Sequence, residues 1–280
     1  MNFNYIKGGV TAPKGFLASG IHCGLKKSNL KKDLALIYSE VPAAASGMFT
    51  KNKVKGAPIS ISKDHLSNKK AQAIIVNSGN ANTCNGTDGL NKAKKMTCLQ
   101  AKELNLKADD ILVASTGVIG VPLNIDAIKS GIPLLTQKLS KEGHDDASSA
   151  IMTTDTVKKE LALEFTIGDK VVTIGAMAKG SGMIEPNMGT MLSFITTDIA
   201  ITPELLDEAL KSCVKVTYNR VSVDGDTSTN DSVFILANGL AENNLISEKN
   251  EDYETFLKAL TDLNTIMARN IAKDGEGATK

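Results

Sequence analysis

The chain has 280 residues, of which 42% are hydrophobic and 22% charged, enough apolar content for a large core and too much for a disordered segment. Lysine and arginine together number 32 and aspartate and glutamate 31. The net charge of +1 therefore gives no bulk attraction for phosphate backbones or anionic membranes, and aromatics at 4% with no tryptophan remove the usual stacking platforms of single-strand binders.

In chain order, Met1–Gly9 lacks the basic start and apolar core of a signal peptide, and no apolar run approaches the roughly 18 residues that cross a bilayer. Strand-like apolar runs come at Leu34–Val41 and Ala73–Val76. Asp88 is placed to cap a helix running to about Asn105, and Ile111–Ala114 is the next strand. Ile128, Ile132, Leu135 and Leu139 then share one helical face. Leu161, Leu163, Phe165 and Ile167 alternate strictly and run through Gly168-Asp169-Lys170 into Val171–Ile174, which predicts a hairpin with one buried face. Met191–Ile195 follows as a strand. Thr202-Pro203-Glu204 reads as N-cap, first-turn proline and first-turn acid of a helix through Leu206, Leu210 and Val214. Val233–Leu236 is a last strand, and Tyr253, Phe256, Leu257, Leu260, Leu263 and Met267 mark a helix ending before Gly275. The hairpin and uneven spacing argue against a repetitive doubly wound sheet. They predict an α/β protein in which antiparallel or mixed sheets carry helices outside. Cys23, Cys84, Cys98 and Cys213 form no C-x-x-C pair, which predicts reduced, mostly buried thiols and a cytoplasmic location.

Three stretches are poor in charge, rich in small polar residues, and follow strand patterns: Asn77–Asn82, Ser115–Gly120 and Lys179–Thr190. Small residues at strand ends let backbone N–H groups approach a ligand, although each stretch alone is also ordinary turn chemistry. Lys179–Thr190 with Met191–Asp198 closely resembles the processing site of the ornithine acetyltransferases, self-cleaving enzymes of arginine biosynthesis. The resemblance extends through Val76–Asn82, Ser115–Gly120, Met152–Thr156, Asp224–Asp231 and Asp274–Lys280, in family order.

The resemblance implies a layered α/β/β/α sandwich that cuts itself at Gly189–Thr190 into chains 1–189 and 190–280. Thr190 would then be an N-terminal nucleophile whose own α-amine serves as base. It would take acetyl from N-acetylornithine and pass it to glutamate, with acetyl-CoA as an alternative donor and no resident cofactor or metal. Thr116 and Gly117 correspond to the family's oxyanion hole, and Thr153, Lys179, Thr190 and Glu276 to its substrate-binding positions. A lysine and a glutamate complement the carboxylate and ammonium of an amino-acid substrate. The implied assembly is a homo-oligomer of paired fragments, without nucleic acid or membrane. Taken singly, Lys179 is one of 30 lysines and Glu276 a solvated acid near the chain end.

Other constellations are weaker. Asp224-x-Asp226-x-Ser228-x-Asn230 begins like a calcium loop, but Thr229 replaces its glycine and Ile235 its final glutamate. His22, His65 and His144 have no zinc spacing with the cysteines. Gly189 stands where relatives commonly carry alanine. Relatives also run on past the Gly-Glu-Gly-Ala-Thr-Lys motif, so a chain ending there is expected to transfer weakly and to associate. A self-processing amidohydrolase or aminopeptidase with water as acceptor, or an inactive remnant, are the alternative readings.

Overall fold

A computed structural model describes residues 3–185 and 191–278. The strands are β1 (Asn4–Ile6), β2 (Phe16–Ile21), β3 (Leu34–Phe49), β4 (Lys70–Asn80), β5 (Ile111–Val118), β6 (Lys159–Ile167), β7 (Lys170–Lys179), β8 (Leu192–Thr197) and β9 (Ser232–Ala237). The helices are α1 (Ala57–His65), α2 (Gly86–Leu104), α3 (Ile125–Gln137), α4 (His144–Ile151), α5 (Pro203–Val216) and α6 (Glu251–Lys273). Hydrogen bonding runs continuously in the order β1-β6-β7-β8-β9-β3-β4-β5, with β2 also paired to β3.

The sheet folds over on β3. Its first half, Leu34–Tyr38, pairs β2 and β4, and its second half, Ala44–Phe49, pairs β9. Between them the register with β4 shifts, around Pro42, which has no N–H to give a ladder. The sequence pattern stops at Val41 because a proline reads as a strand end. The chain instead uses it as a bulge and continues to Phe49.

The period-2 alternation then sorts side chains into three apolar layers. Ile37, Ile74, Val76 and Leu112 on one half meet Met177, Phe194, Phe234 and Leu236 on the other, forming a core between the two sheets. Phe234 stacks on Phe194 at 6.0 Å and takes Phe49 edge-on at 5.5 Å. On one outer face Leu36, Ile75 and Val113 pack with Met96 of α2 and Ile128, Ile132 and Leu135 of α3. On the other, Leu163, Ile174, Ile195 and Ile235 pack with Leu206 and Leu210 of α5 and Phe256, Leu260 and Leu263 of α6. The result is the expected α/β/β/α sandwich. Its sheet is mixed, with parallel pairs β4–β5 and β8–β9 across helical crossovers and antiparallel pairs elsewhere.

Local expectations fare unevenly. The β6–β7 hairpin closes over Gly168 and Asp169, with Gly168 at φ 58°. Asp88 is not the cap of α2; Asn85 holds that position and Asp88 lies in the first turn, paired to Lys92 at 2.7 Å. Thr202 occupies the N-cap of α5, but its side chain makes no capping bond. The thiols are not mostly buried either: Cys213 is, Cys23 is half-buried, and Cys84 and Cys98 are exposed, the latter on the outer face of α2. Among the described residues, no helix is long and apolar enough to cross a membrane.

Candidate active site

The parallel β4–β5 register places Gly79 beside Gly117 and Ser78 beside Thr116 at the ends of those strands. Lys179 ends β7, next to Leu192 of β8, which in turn pairs Ser232 of β9. Strand ends carrying three of the recognised stretches therefore meet on one rim. Polar side chains lock them together. Asn230 donates to the carbonyls of Ala81 (2.7 Å) and Ser115 (3.0 Å), and its oxygen accepts from Thr83 and Thr229, both at 2.6 Å. Ser115 donates to Asn77 at 2.6 Å, and Asn77 donates to the Asn80 carbonyl at 2.9 Å. Asp224 accepts the N–H groups of Met183 and Ile184, fastening the segment that follows β7. Much of the small polar motif chemistry is scaffold.

A cavity of about 670 Å³ opens on this rim, and Thr116, Gly117, Thr153, Lys179 and Glu276 all line it. Gly189 and Thr190 lie outside the described residues; Met191, which follows them, is buried. Gly117 needs its missing side chain: at φ 132°, a Cβ would stand 2.4 Å from the Gly79 carbonyl carbon and 2.5 Å from the Asn80 nitrogen. Neither Lys179 nor Glu276 behaves as its type does alone. Lys179 is only 2% exposed. Burial pulls its ammonium below the usual lysine range, opposed by the Asp155 carboxylate 3.9 Å away. Glu276 is tied down through its N–H to the Ser181 carbonyl at 2.6 Å, and its carboxylate covers Gly182.

Other groups at the cavity carry charge of both signs. Lys26, Lys27 and Lys31 line it with Lys179, and Asp224 and Asp226 line it with Glu276. Lys26 is held by the carbonyls of Lys32 (2.7 Å) and Met152 (2.8 Å), and burial lowers it to about 8. Buried Asp33 shapes that loop by accepting the N–H groups of Cys23, Leu25 and Lys26. Asp231, fully buried, accepts the Met191 N–H at 3.1 Å, and burial pushes its carboxyl up to about 8. Its second oxygen has no hydrogen-bond partner among the described residues. Sequence reasoning missed Lys26, Asp155 and Asp231 as cavity neighbours. Asp155 and Asp231 stand inside recognised stretches, whereas Lys26 is one lysine in a lysine-rich loop without other signal.

Two stacked sheets between helices, with a polar cavity where strand ends and Gly-rich turns meet, define the Ntn-hydrolase type of fold. A solved L-aminopeptidase D-Ala-esterase/amidase from Ochrobactrum anthropi, described as a variant of that fold, superposes with a TM-score of 0.59 at 11% identity, over 96% of this chain and 86% of that one. The ArgJ family profile matches residues 17–280. The arginine biosynthesis bifunctional protein ArgJ of Caldanaerobacter subterraneus subsp. tengcongensis is 51% identical over 98% of this chain and 68% of its own length. The ArgJ 1 protein of Clostridium acetobutylicum is 54% identical over 95% of this chain and 65% of its own. An ornithine acetyltransferase of Mycobacterium tuberculosis, solved with ornithine, matches at 37% identity and a TM-score of 0.62, over 66% of this chain and 98% of that one. The chain belongs to the ArgJ family of arginine-biosynthesis acetyltransferases and spans about two thirds of the length of the curated relatives it matches.

Proposed function

We propose that this chain carries the acetyl-transfer site of an ornithine acetyltransferase, moving acetyl from N-acetylornithine to glutamate through an ester on Thr190. The observation that carries the reading is convergence. Residues as far apart in sequence as Thr116 and Glu276 line one cavity, together with Gly117, Thr153 and Lys179. The lining offers lysines for a substrate carboxylate and acids for a side-chain ammonium, as an amino-acid substrate requires.

In the proposed chemistry the Thr190 hydroxyl first attacks the Gly189 carbonyl, and water resolves the resulting ester into fragments 1–189 and 190–280. The freed amine of Thr190 then serves as base while its hydroxyl attacks the acetyl carbonyl, releasing ornithine. The Thr116 hydroxyl and Gly117 N–H take up the oxyanion in both half-reactions, a role that contributes about 10²–10³ in rate per donor. Glutamate accepts the acetyl group in the second half-reaction, and acetyl-CoA is a second donor to the same threonine. The matched share of the ornithine-bound relative, 66% of this chain and 98% of the solved one, is close to the 189 of 280 residues preceding Thr190, as cleavage there would give. The fragments stay paired, assemble further as copies of that pair, and act in the cytoplasm.

The test is to incubate the purified chain with N-acetylornithine, with and without glutamate, and to measure ornithine, N-acetylglutamate and acetate alongside intact mass. The reading expects two fragments, ornithine release coupled to N-acetylglutamate, and neither cleavage nor transfer in Thr190→Ala. Cleavage of Thr190→Ala between residues 189 and 190 would overturn the nucleophile assignment. Acetate in place of N-acetylglutamate would make the enzyme a hydrolase.

A further inference from the structure

The Met152–Thr156 stretch enters the site through Thr153, yet its most connected side chain is Asp155. The Asp155 carboxylate is fully buried. One oxygen accepts the Thr153 N–H at 3.0 Å, and the other accepts the Gly180 N–H at 2.7 Å and the Lys159 ammonium at 2.8 Å. The Lys179 ammonium lies 3.9 Å away. Lys159, itself 1% exposed, reaches on to Asp274 at 2.5 Å. Asp274 caps the end of α6, accepts the N–H and hydroxyl of Thr156, and stands two residues before Glu276. A single carboxylate thus touches the turn bearing Thr153 and the strand end bearing Lys179. Through Lys159 and Asp274 it also anchors the segment bearing Glu276. It does not line the 670 Å³ cavity itself.

We propose that Asp155 is a positioning residue of the transfer site: it keeps Lys179 in the ammonium form that a substrate carboxylate needs and fixes Thr153, Lys179 and Glu276 around the cavity. The proposal rests on reading Lys179 as the carboxylate partner. A buried ammonium without a counterion sheds its proton, so the identity of that counterion decides whether Lys179 can work. The charged groups facing Lys179 are Asp155, Lys159, Asp231, Glu276 and Lys26. Lys159 and Lys26 repel a proton there. Asp231 also favours the ammonium, but burial pushes its own carboxyl up to about 8, which makes it the weaker anion. Glu276 acts from the segment that the Asp155 network itself holds. Burial pushes the Asp155 carboxyl up, but the lysines and N–H groups around it outweigh that and hold it below the usual carboxylate range, which makes it the principal anion facing Lys179.

The experiment compares the 280-residue wild type with Asp155→Asn and Asp155→Glu. Lysine Cε resonances are titrated by NMR, with Lys179→Met to assign the signal, and folding is followed by circular dichroism. The midpoint of Lys179 should fall by at least one pH unit in Asp155→Asn and recover at least half of that in Asp155→Glu. Calorimetric binding of L-ornithine, an unreactive probe, is measured at pH 6.5 and 8.5, a window in which Lys26 and Asp231, both at about 8, titrate in wild type and variant alike. Over that range Asp155→Asn should weaken at least tenfold more than wild type does. If Asp155→Asn does not fold, the double variant Asp155→Asn/Lys159→Met is titrated against Lys159→Met alone, so that the lost repulsion of Lys159 is common to both, and its Lys179 midpoint should again be the lower by at least one pH unit. An unchanged Lys179 midpoint in whichever variant folds overturns the proposal, because a purely structural Asp155 would lower thermal stability without moving that midpoint. Absence of ornithine binding by wild type would count against the substrate reading, while the titration would still judge Asp155.

Discussion

Substituting Gly117 by alanine isolates what the β4–β5 rim demands of the backbone. Two costs arise. At φ 132° an L side chain is strained by about 1–3 kcal/mol. Its Cβ would also overlap the main chain of β4, at 2.4 Å from the Gly79 carbonyl carbon and 2.5 Å from the Asn80 nitrogen. Backbone cannot swing aside as a flexible side chain can. The two strand ends must therefore part by about 1 Å, which adds roughly 1–3 kcal/mol as overpacking. Gly120→Ala is the control, because Gly120 also has a positive φ, 79°, but a Cβ there meets nothing within 4 Å. Denaturant unfolding should show Gly117→Ala about 2–6 kcal/mol less stable than wild type and Gly120→Ala only about 1–2 kcal/mol less stable. Transfer should fall by at least about 10² in kcat for Gly117→Ala, since the parted rim moves the Gly117 N–H, and stay near wild type for Gly120→Ala. If the two variants lose equal stability and both keep their turnover, Gly117 is neither pressed against β4 nor an oxyanion donor.

Thr116→Ala should lower kcat by about 10²–10³ with little change in KM, because the hydroxyl acts on charge present only in the transition state; a change confined to KM would remove it from that role. Gly182→Ala would put a Cβ 2.7 Å from the Glu276 carboxylate, the far end of a flexible side chain. Stability should stay within about 1 kcal/mol of wild type while calorimetric ornithine affinity falls about tenfold, and unchanged affinity would show that Glu276 does not hold the ligand. Asp231 has a folded value of about 8, raised by burial, against about 3.9 when unfolded. Its stabilising contribution is therefore complete below about pH 4 and is lost as pH rises toward 8. Asp231→Asn cannot titrate, so its stability relative to wild type should improve from pH 5 to pH 8 in thermal melts. Parallel profiles would refute a neutral Asp231.

Long apolar alternation was readable from sequence because burial of one face imposes it. The β6–β7 hairpin and the faces of α3, α5 and α6 were legible in this way, whereas α2, whose inner face is mostly small or polar, was read only from its ends. β2 was not legible, since Phe16–Ile21, buried at every position but Leu17, carries Ser19 and Gly20 among its buried residues. Nor was α1, whose Ile59, Ser62 and His65 are buried with two polar members on the inner face. α4 is eight residues rich in Asp and Ser, too short for a period to emerge. At the site, motif resemblance found the residues that line the cavity but not what makes them fit to act. A lysine reads as solvated until a carboxylate close in space offsets its burial, and Lys159 and Lys179 both meet theirs in Asp155. For Lys159 that partner stands only four residues earlier, whereas the approach of Lys179 to Asp155 is a tertiary fact with no periodic trace.

The position of β8 and β9 in the sheet has a mechanical consequence. β8 hydrogen-bonds to β7 on one side and β9 to β3 on the other, so the portion of chain after residue 190 is wedged between two strands that precede it. A cut just before β8 would sever one covalent link and leave both flanking seams intact. The later fragment would sit like a keystone, unable to leave unless the arch on both sides of it came apart at once. Scission would then be nearly silent to the fold, freeing a chain end for chemistry in the middle of a body that still melts as one.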